Sequence, residues 1–321
     1  MVLDELDIPI VLAPLAGGPS TPELAAAVSN AGGLGFLGAG YLTAEELARR
    51  IARTRELTDE AIGVNLFVLT DTPVDDEALA RYARELEPEA RAYGVQLGDP
   101  RFDDDELAAK LEVVADAQVE FVSFAFGFLP AHDGWATVTS VDEAREAQAR
   151  GASALVVQGT EAGGHRSTWD DSDDDTPLLT LLRAIGDVVD LPLVAAGGIA
   201  TRDDVAAALD AGAVAAQVGT AFLLAPEAGT NDAHRRALAS SGTTAVTRAF
   251  TGRKARGIVN RFMREHPDAP RAYPHVNNLT APLRAAARGA GDENTINLWA
   301  GVNFAHTHAR PAAETVAALR L

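Results

Sequence analysis

The feature that most constrains this chain is a rhythm. From Ile8 to Val218, short apolar runs alternate with longer, alanine-rich amphipathic segments, the pattern of repeated strand–helix units. The runs read as strands are Ile8–Ala13, Leu34–Leu37, Ile62–Phe67, Val119–Phe124, Trp135–Val138, Ala154–Gln158, Leu193–Ala196 and Ala215–Val218. Thr21–Ala31, Thr43–Arg55, Ser140–Arg150 and Thr201–Ala211 read as helices between them. Thr21, Thr43 and Thr201 precede acids in the first turn, where a hydroxyl accepts from a free N–H and carboxylates suit the positive helix end. Eight strands joined by parallel crossovers predict an α/β fold, a closed (β/α)8 TIM-type barrel. One joint breaks the pattern. Ala125–Gly134 carries Pro130 and Gly134 and is shorter than the roughly dozen residues of a parallel crossover, so a helix is missing there.

After about Ala225 the rhythm stops, and Pro226–Leu298 reads as helices broken by loops. The expected division is a barrel over 1–224, a smaller, mainly helical accessory region over the barrel mouth at 225–304, and a C-terminal helix at 305–321 returning to the barrel. Asp170–Asp175 interrupts the sixth unit as a solvated acidic loop, and its spacing matches no known calcium loop.

No apolar run approaches the roughly 18 residues of a membrane span, and the acidic stretch Met1–Asp7 lacks the order of a signal peptide. A soluble, cytoplasmic protein is expected. There is no cysteine, which excludes disulfides and thiolate chemistry. Net charge is −19; such a surface repels nucleic acid and anionic membrane, and fits a salt-rich cytoplasm where self-repulsion is screened. No metal site is expected: His306 and His308 are two apart without a third ligand.

Barrel enzymes place their chemistry on loops after the C-terminal strand ends. By that rule Asn65, Gln158, the loop Glu161–Arg166, Gly197-Gly198 and Gln217-Val218-Gly219-Thr220 matter. Glycines in loops seven and eight let backbone N–H groups close on a phosphate, or else they make tight turns without a ligand. A flavin phosphate and a sugar phosphate are not distinguished at this level. Asn65 and Gln158 either cap their strands or hydrogen-bond a ring that presents donors and acceptors along one edge. His165 either is structural or serves as a base of near-neutral pKa. Thr251–Gly257 is a basic cluster, paired with surface acids or forming an anion-attracting rim.

Ala13–Leu24, Val64–Phe67, Val157–Gly159, Glu161–Arg166, both glycine loops and Phe250–Arg253 resemble class I nitronate monooxygenase, formerly called 2-nitropropane dioxygenase. The resemblance covers nearly the whole chain. It implies bound FMN, no use of NAD(P)H, and oxidation of alkyl nitronates such as propionate 3-nitronate by O2 to a carbonyl compound and nitrite. By position, it implies that Asn65, Gln158, Gly163, Gly198, Gln217, Val218, Gly219 and Thr220 hold FMN and that His165 is the catalytic base. Alternatives are an NAD(P)H-dependent FMN enoyl reductase and a flavin-binding protein without turnover. Two departures stand out. The helix after Phe124–Gly127 is absent, leaving barrel surface for another helix or a partner subunit in a homo-oligomer. Val302-Asn303 also replaces the usual glutamine-glycine, a change expected to bear on the substrate side more than on the flavin.

Overall fold

The computed structural model describes residues 6, 8–130, 132–172 and 175–321; most of the acidic N-terminal stretch and the centre of the Asp170–Asp175 loop lie outside them. Eight parallel strands follow the order of the apolar runs: β1 (Ile10–Leu12), β2 (Gly35–Gly38), β3 (Ile62–Phe67), β4 (Phe121–Ala125), β5 (Trp135–Val138), β6 (Ala154–Gln158), β8 (Leu193–Ala196) and β9 (Ala215–Val218). The sheet closes between its first and last members, where Leu12 N donates to Leu34 O at 2.8 Å and Leu34 N to Ile10 O at 2.9 Å. This is the (β/α)8 barrel.

Helices α1 (Pro22–Asn30), α2 (Ala44–Leu57), α4 (Leu107–Asp116), α5 (Val141–Ala149), α6 (Leu178–Gly186) and α7 (Arg202–Asp210) surround it. The expected caps form: Thr21 accepts from Leu24 N, Thr43 from Glu46 N, and Thr201 makes a reciprocal capping box with Asp204. Helix α11 (Ala312–Leu319) returns to pack against α1 and α7, burying Ala312, Val316 and Leu319 in the outer core.

Alternate strand residues point inward. At the base of the barrel Trp135 packs on Phe36 and Phe121, with ring centroids 5.4 and 5.2 Å away. Gly63 makes this possible, since a Cβ there would lie 2.3 Å from Phe36 Cζ. Bulky rings fill the lower layer and leave the top layer polar: Asn65, Ser123, Thr137, Gln158 and Gln217.

Between β4 and β5 there is no helix among the described residues. Residues 126–134 can reach up to about 30 Å when extended, more than a strand of this length needs, so direct return of the chain is feasible. The uncovered surface is closed by the chain itself. Outward-facing Phe124 meets Phe128 edge-on at 5.5 Å, both about 1% exposed, and Arg150 donates to Phe128 O at 2.9 Å.

The accessory layer is mainly helical, as expected, with a small sheet added. It holds α8 (Asp232–Leu238), α9 (Arg261–Glu265) and α10 (His275–Gly289), but also strands β10 (Thr244–Thr247) and β11 (Ala255–Ile258). These pair antiparallel with each other, and β11 also pairs antiparallel with β7 (Gly164–His165) from the sixth barrel loop. Helix α3 (Asp76–Ala92), which lies between β3 and β4 in the chain, joins this layer: Leu79, Tyr82 and Leu86 pack with Phe250, Phe262, Val276 and Leu279.

Candidate active site

The barrel mouth opens into a cavity of about 370 Å3, within the ~300–1,000 Å3 typical of small-molecule and cofactor sites. Its floor is the polar top layer. Asn65 donates to Ser123 Oγ at 2.9 Å, which sets its amide. Gln217 is 9% exposed and its Oε1 has no hydrogen-bond partner; a buried acceptor left open in this way is suited to a ligand donor. Gln158 is otherwise occupied. Its Nε2 donates to His165 O at 3.0 Å and its Oε1 accepts from Ser167 N at 2.9 Å, so the amide ties the His165 loop to its own strand.

The glycine loops form the next wall. Gly197 and Gly198 are left-handed, with φ of 117° and 70°, a conformation that favours glycine. At Gly219 a Cβ would come within 3.1 Å of Leu15 Cδ2. Both loops are held by one segment, residues 300–303, of which Gly301 and Asn303 also line the cavity. Gly301 N donates to Thr220 Oγ1 at 3.0 Å, Val302 N to Glu161 O at 3.1 Å, and Asn303 Nδ2 to Gly198 O at 2.6 Å. This strap buckles loops six, seven and eight together. Gly163 must be small beneath it, because a Cβ would sit 2.5 Å from Gly301 N. The Val302-Asn303 departure therefore touches the glycine loops, and Asn303 also lines the cavity. Asn65, Gln158, Gly163, His165, Gly198, Gln217, Gly219 and Thr220 all line the cavity. Val218 does not: its side chain is in the outer core and its carbonyl accepts Ala13 N at 2.8 Å.

His165 lies on the opposite wall, presented by β7. Pairing with Ala255 on β11 sets its backbone, and its Nε2 lies 2.9 Å from Thr251 Oγ1. Its ring stands 5.5 to 5.9 Å from the rings of Tyr273, Trp299 and Phe126. Phe67 and Tyr41 extend this aromatic wall. The basic cluster is divided. Lys254 faces Asp175 at 3.8 Å and Arg256 donates to Thr160 O at 2.9 Å, whereas Arg253 is buried with its guanidinium 4.2 Å from the Phe126 ring centroid. In the acidic loop, Asp171 pairs with Arg248 and Arg271, each at 3.3 Å.

Burial, aided by Arg253 and Arg284, pushes the His165 imidazole down to about 3. In place of the near-neutral base expected from sequence, burial holds the ring in its neutral form. The same charges favour an anion beside it. Burial also lowers His234, another cavity residue, to about 4, with a hydrogen bond to the Trp299 backbone opposing it.

The nitronate monooxygenase family model matches residues 3–320. The chain belongs to the nitronate monooxygenase family. A probable nitronate monooxygenase of Staphylococcus aureus is 35% identical, over 94% of this chain and 91% of its own length. The structure of nitroalkane oxidase from Streptomyces ansochromogenes is 46% identical, with a TM-score of 0.95 over 99% of this chain and 96% of that one. FabK from Thermotoga maritima shares the fold at 24% identity, TM-score 0.77, over 99% of this chain and 94% of its own.

Within this nitronate monooxygenase scaffold, sequence reasoning gave no site role to Tyr41, Phe126, His234, Tyr273 or Trp299, all of which line the cavity or its aromatic wall. Each is distant in sequence from the glycine motifs. The signals available were the family-like stretches Phe124–Gly127 and Leu298–Gly301, which hold Phe126 and Trp299.

Proposed function

We propose that this protein binds FMN and oxidises alkyl nitronates with O2, giving a carbonyl compound and nitrite. The observation that carries this reading is the placement of neutral His165 above an amide floor, across the cavity from two strapped glycine loops, with Arg253 and Arg284 supplying positive potential. The residues fit FMN. Gln217 offers an open acceptor and Asn65 a fixed amide to the ring, and Gly198, Gly219 and Thr220 would cradle the phosphate. Val218 would contribute through its backbone alone.

FMN, when bound, supplies the electron acceptor through which the nitronate carbon is oxidised. The protein's share is binding and orientation. The aromatic wall admits a small alkyl chain and excludes water, and the guanidinium charges favour the anionic nitronate over its neutral nitroalkane. His165 faces the substrate space in its base form at neutral pH, ready to hold a proton lost from the α-carbon. Its low proton affinity makes a preformed nitronate the better substrate.

The test is the visible spectrum of purified protein reconstituted with FMN, followed by nitrite release from a nitronate under air. A flavin spectrum with nitrite production supports the assignment. No flavin binding overturns it, and so does rapid anaerobic bleaching by NADH without nitrite production, which would mark a reductase.

A further inference from the structure

A second polar system lies beyond the cavity wall and ends on one of its residues. Lys110, one of only two lysines in the chain, is 1% exposed. Its Nζ lies 2.7 Å from Asp105 Oδ2 and donates to Ala39 O at 3.1 Å. The other oxygen, Asp105 Oδ1, accepts from Tyr41 N at 2.9 Å, and neighbouring Glu106 Oε2 accepts from Ala44 N at 2.8 Å. Three non-glycine residues here are left-handed: Tyr41, Asp105 and Glu106, with φ of 68°, 61° and 54°. Such strain persists only where surrounding contacts over-determine it, and it concentrates at functional sites.

We propose that the Lys110–Asp105 ion pair is a positioning device that holds Tyr41 as the wall of the substrate end of the cavity. The inference rests on the nitronate reading above. Tyr41 lines the cavity, meets Phe67 edge-on at 5.6 Å and places its hydroxyl 3.3 Å from that of Tyr273. Two hydroxyls share one hydrogen bond between them, so one hydroxyl hydrogen is left for a substrate oxygen. Burial raises both phenols above the ordinary range, so both remain protonated donors. The clamp's carboxylates end on the turn after β2, not within the barrel core. Its effect is therefore expected in substrate affinity and not in cofactor binding.

Kinetics on a preformed nitronate with FMN-loaded Tyr41→Gly, Lys110→Met, Asp105→Asn and the Tyr41→Gly/Lys110→Met double variant test this. Glycine tolerates the left-handed backbone at position 41, so Tyr41→Gly removes the ring without new strain. Tyr41→Gly and Lys110→Met should each raise KM on the order of tenfold with little change in kcat and with FMN affinity retained. Asp105→Asn keeps an oxygen acceptor and should lie between them and wild type. The double variant should be no worse than Tyr41→Gly, since Lys110 acts through Tyr41. Additive losses, or an unchanged KM in Tyr41→Gly, overturn the proposal. Amide hydrogen exchange at Tyr41 gives a readout independent of turnover. Faster exchange in Lys110→Met supports the clamp and unchanged exchange overturns it, whereas a wild-type enzyme inert toward nitronates overturns the functional reading instead.

Discussion

His165 Nε2 lies 2.9 Å from Thr251 Oγ1, and the same hydroxyl donates to Arg253 O at 3.3 Å. A hydroxyl has one hydrogen. With that hydrogen directed to Arg253 O, Thr251 accepts from Nε2–H, and Nδ1 is the nitrogen left with a free lone pair. Thr251 thereby sets both the tilt of the imidazole and which nitrogen can take a proton.

From this comes the behaviour expected of His165→Asn. Wild type should turn over a nitronate faster than the matching neutral nitroalkane at pH 7. The variant should lose the nitroalkane reaction by about 10² to 10⁴, the usual cost of removing a general base, and lose much less on the nitronate. Its flavin spectrum should persist. Steady-state kinetics with each substrate in a defined protonation state decide the matter; equal losses on both would assign His165 to orientation.

Gly219→Asp should abolish flavin retention. It adds a Cβ beside Leu15 and Ala13, at 3.1 and 3.2 Å, and places a carboxylate where the proposed flavin phosphate would approach backbone amides. Undiminished FMN affinity in a folded variant, measured by fluorescence quenching, would place the phosphate elsewhere.

The strap makes a separate prediction. Asn303→Ala removes the donor to Gly198 O, a bond of 2.6 Å, while leaving the cavity floor intact. A typical hydrogen bond contributes about 1 kcal/mol, so FMN should bind roughly fivefold more weakly. KM for the nitronate at saturating FMN should stay near wild type. A changed KM with unchanged FMN affinity would return this residue to the substrate side.

The buried histidines predict an acid limb in stability. Burial lowers His165 to about 3 and His234 to about 4 from the ordinary 6.5 of an imidazole. The unfolded chain therefore binds more protons below about 6.5, and stability falls as pH falls. The contribution is complete above 6.5 and is lost progressively toward 4 and then 3. Melting temperature should be level from pH 8 to 7 and should decline between 6.5 and 5, above the range where most carboxylates titrate. His234→Gln should flatten that decline. A level curve for wild type across this window would contradict the assignment.

Local pattern alone determined the barrel. β3, β5, β6, β8 and β9 begin and end where the apolar runs do, because buried parallel strands need continuous apolar side chains and their boundaries are marked by glycines and helix caps. Loop positions at strand ends likewise made Asn65, Gln158, His165 and Gly219 legible as cavity residues. Tertiary structure decided the rest. β7 is two residues long and has no periodicity of its own; it exists because Ala255 and Arg256 arrive opposite it. Arg253 and Lys254 are adjacent in the chain, yet one is buried under an aromatic ring and the other faces an acid. Phe128 fills the place of a missing helix, and Asn303 reaches a loop some hundred residues away. These are pairings between residues far apart in sequence, and no local propensity encodes them, since each depends on the free energy of burying a partner that only the folded chain supplies.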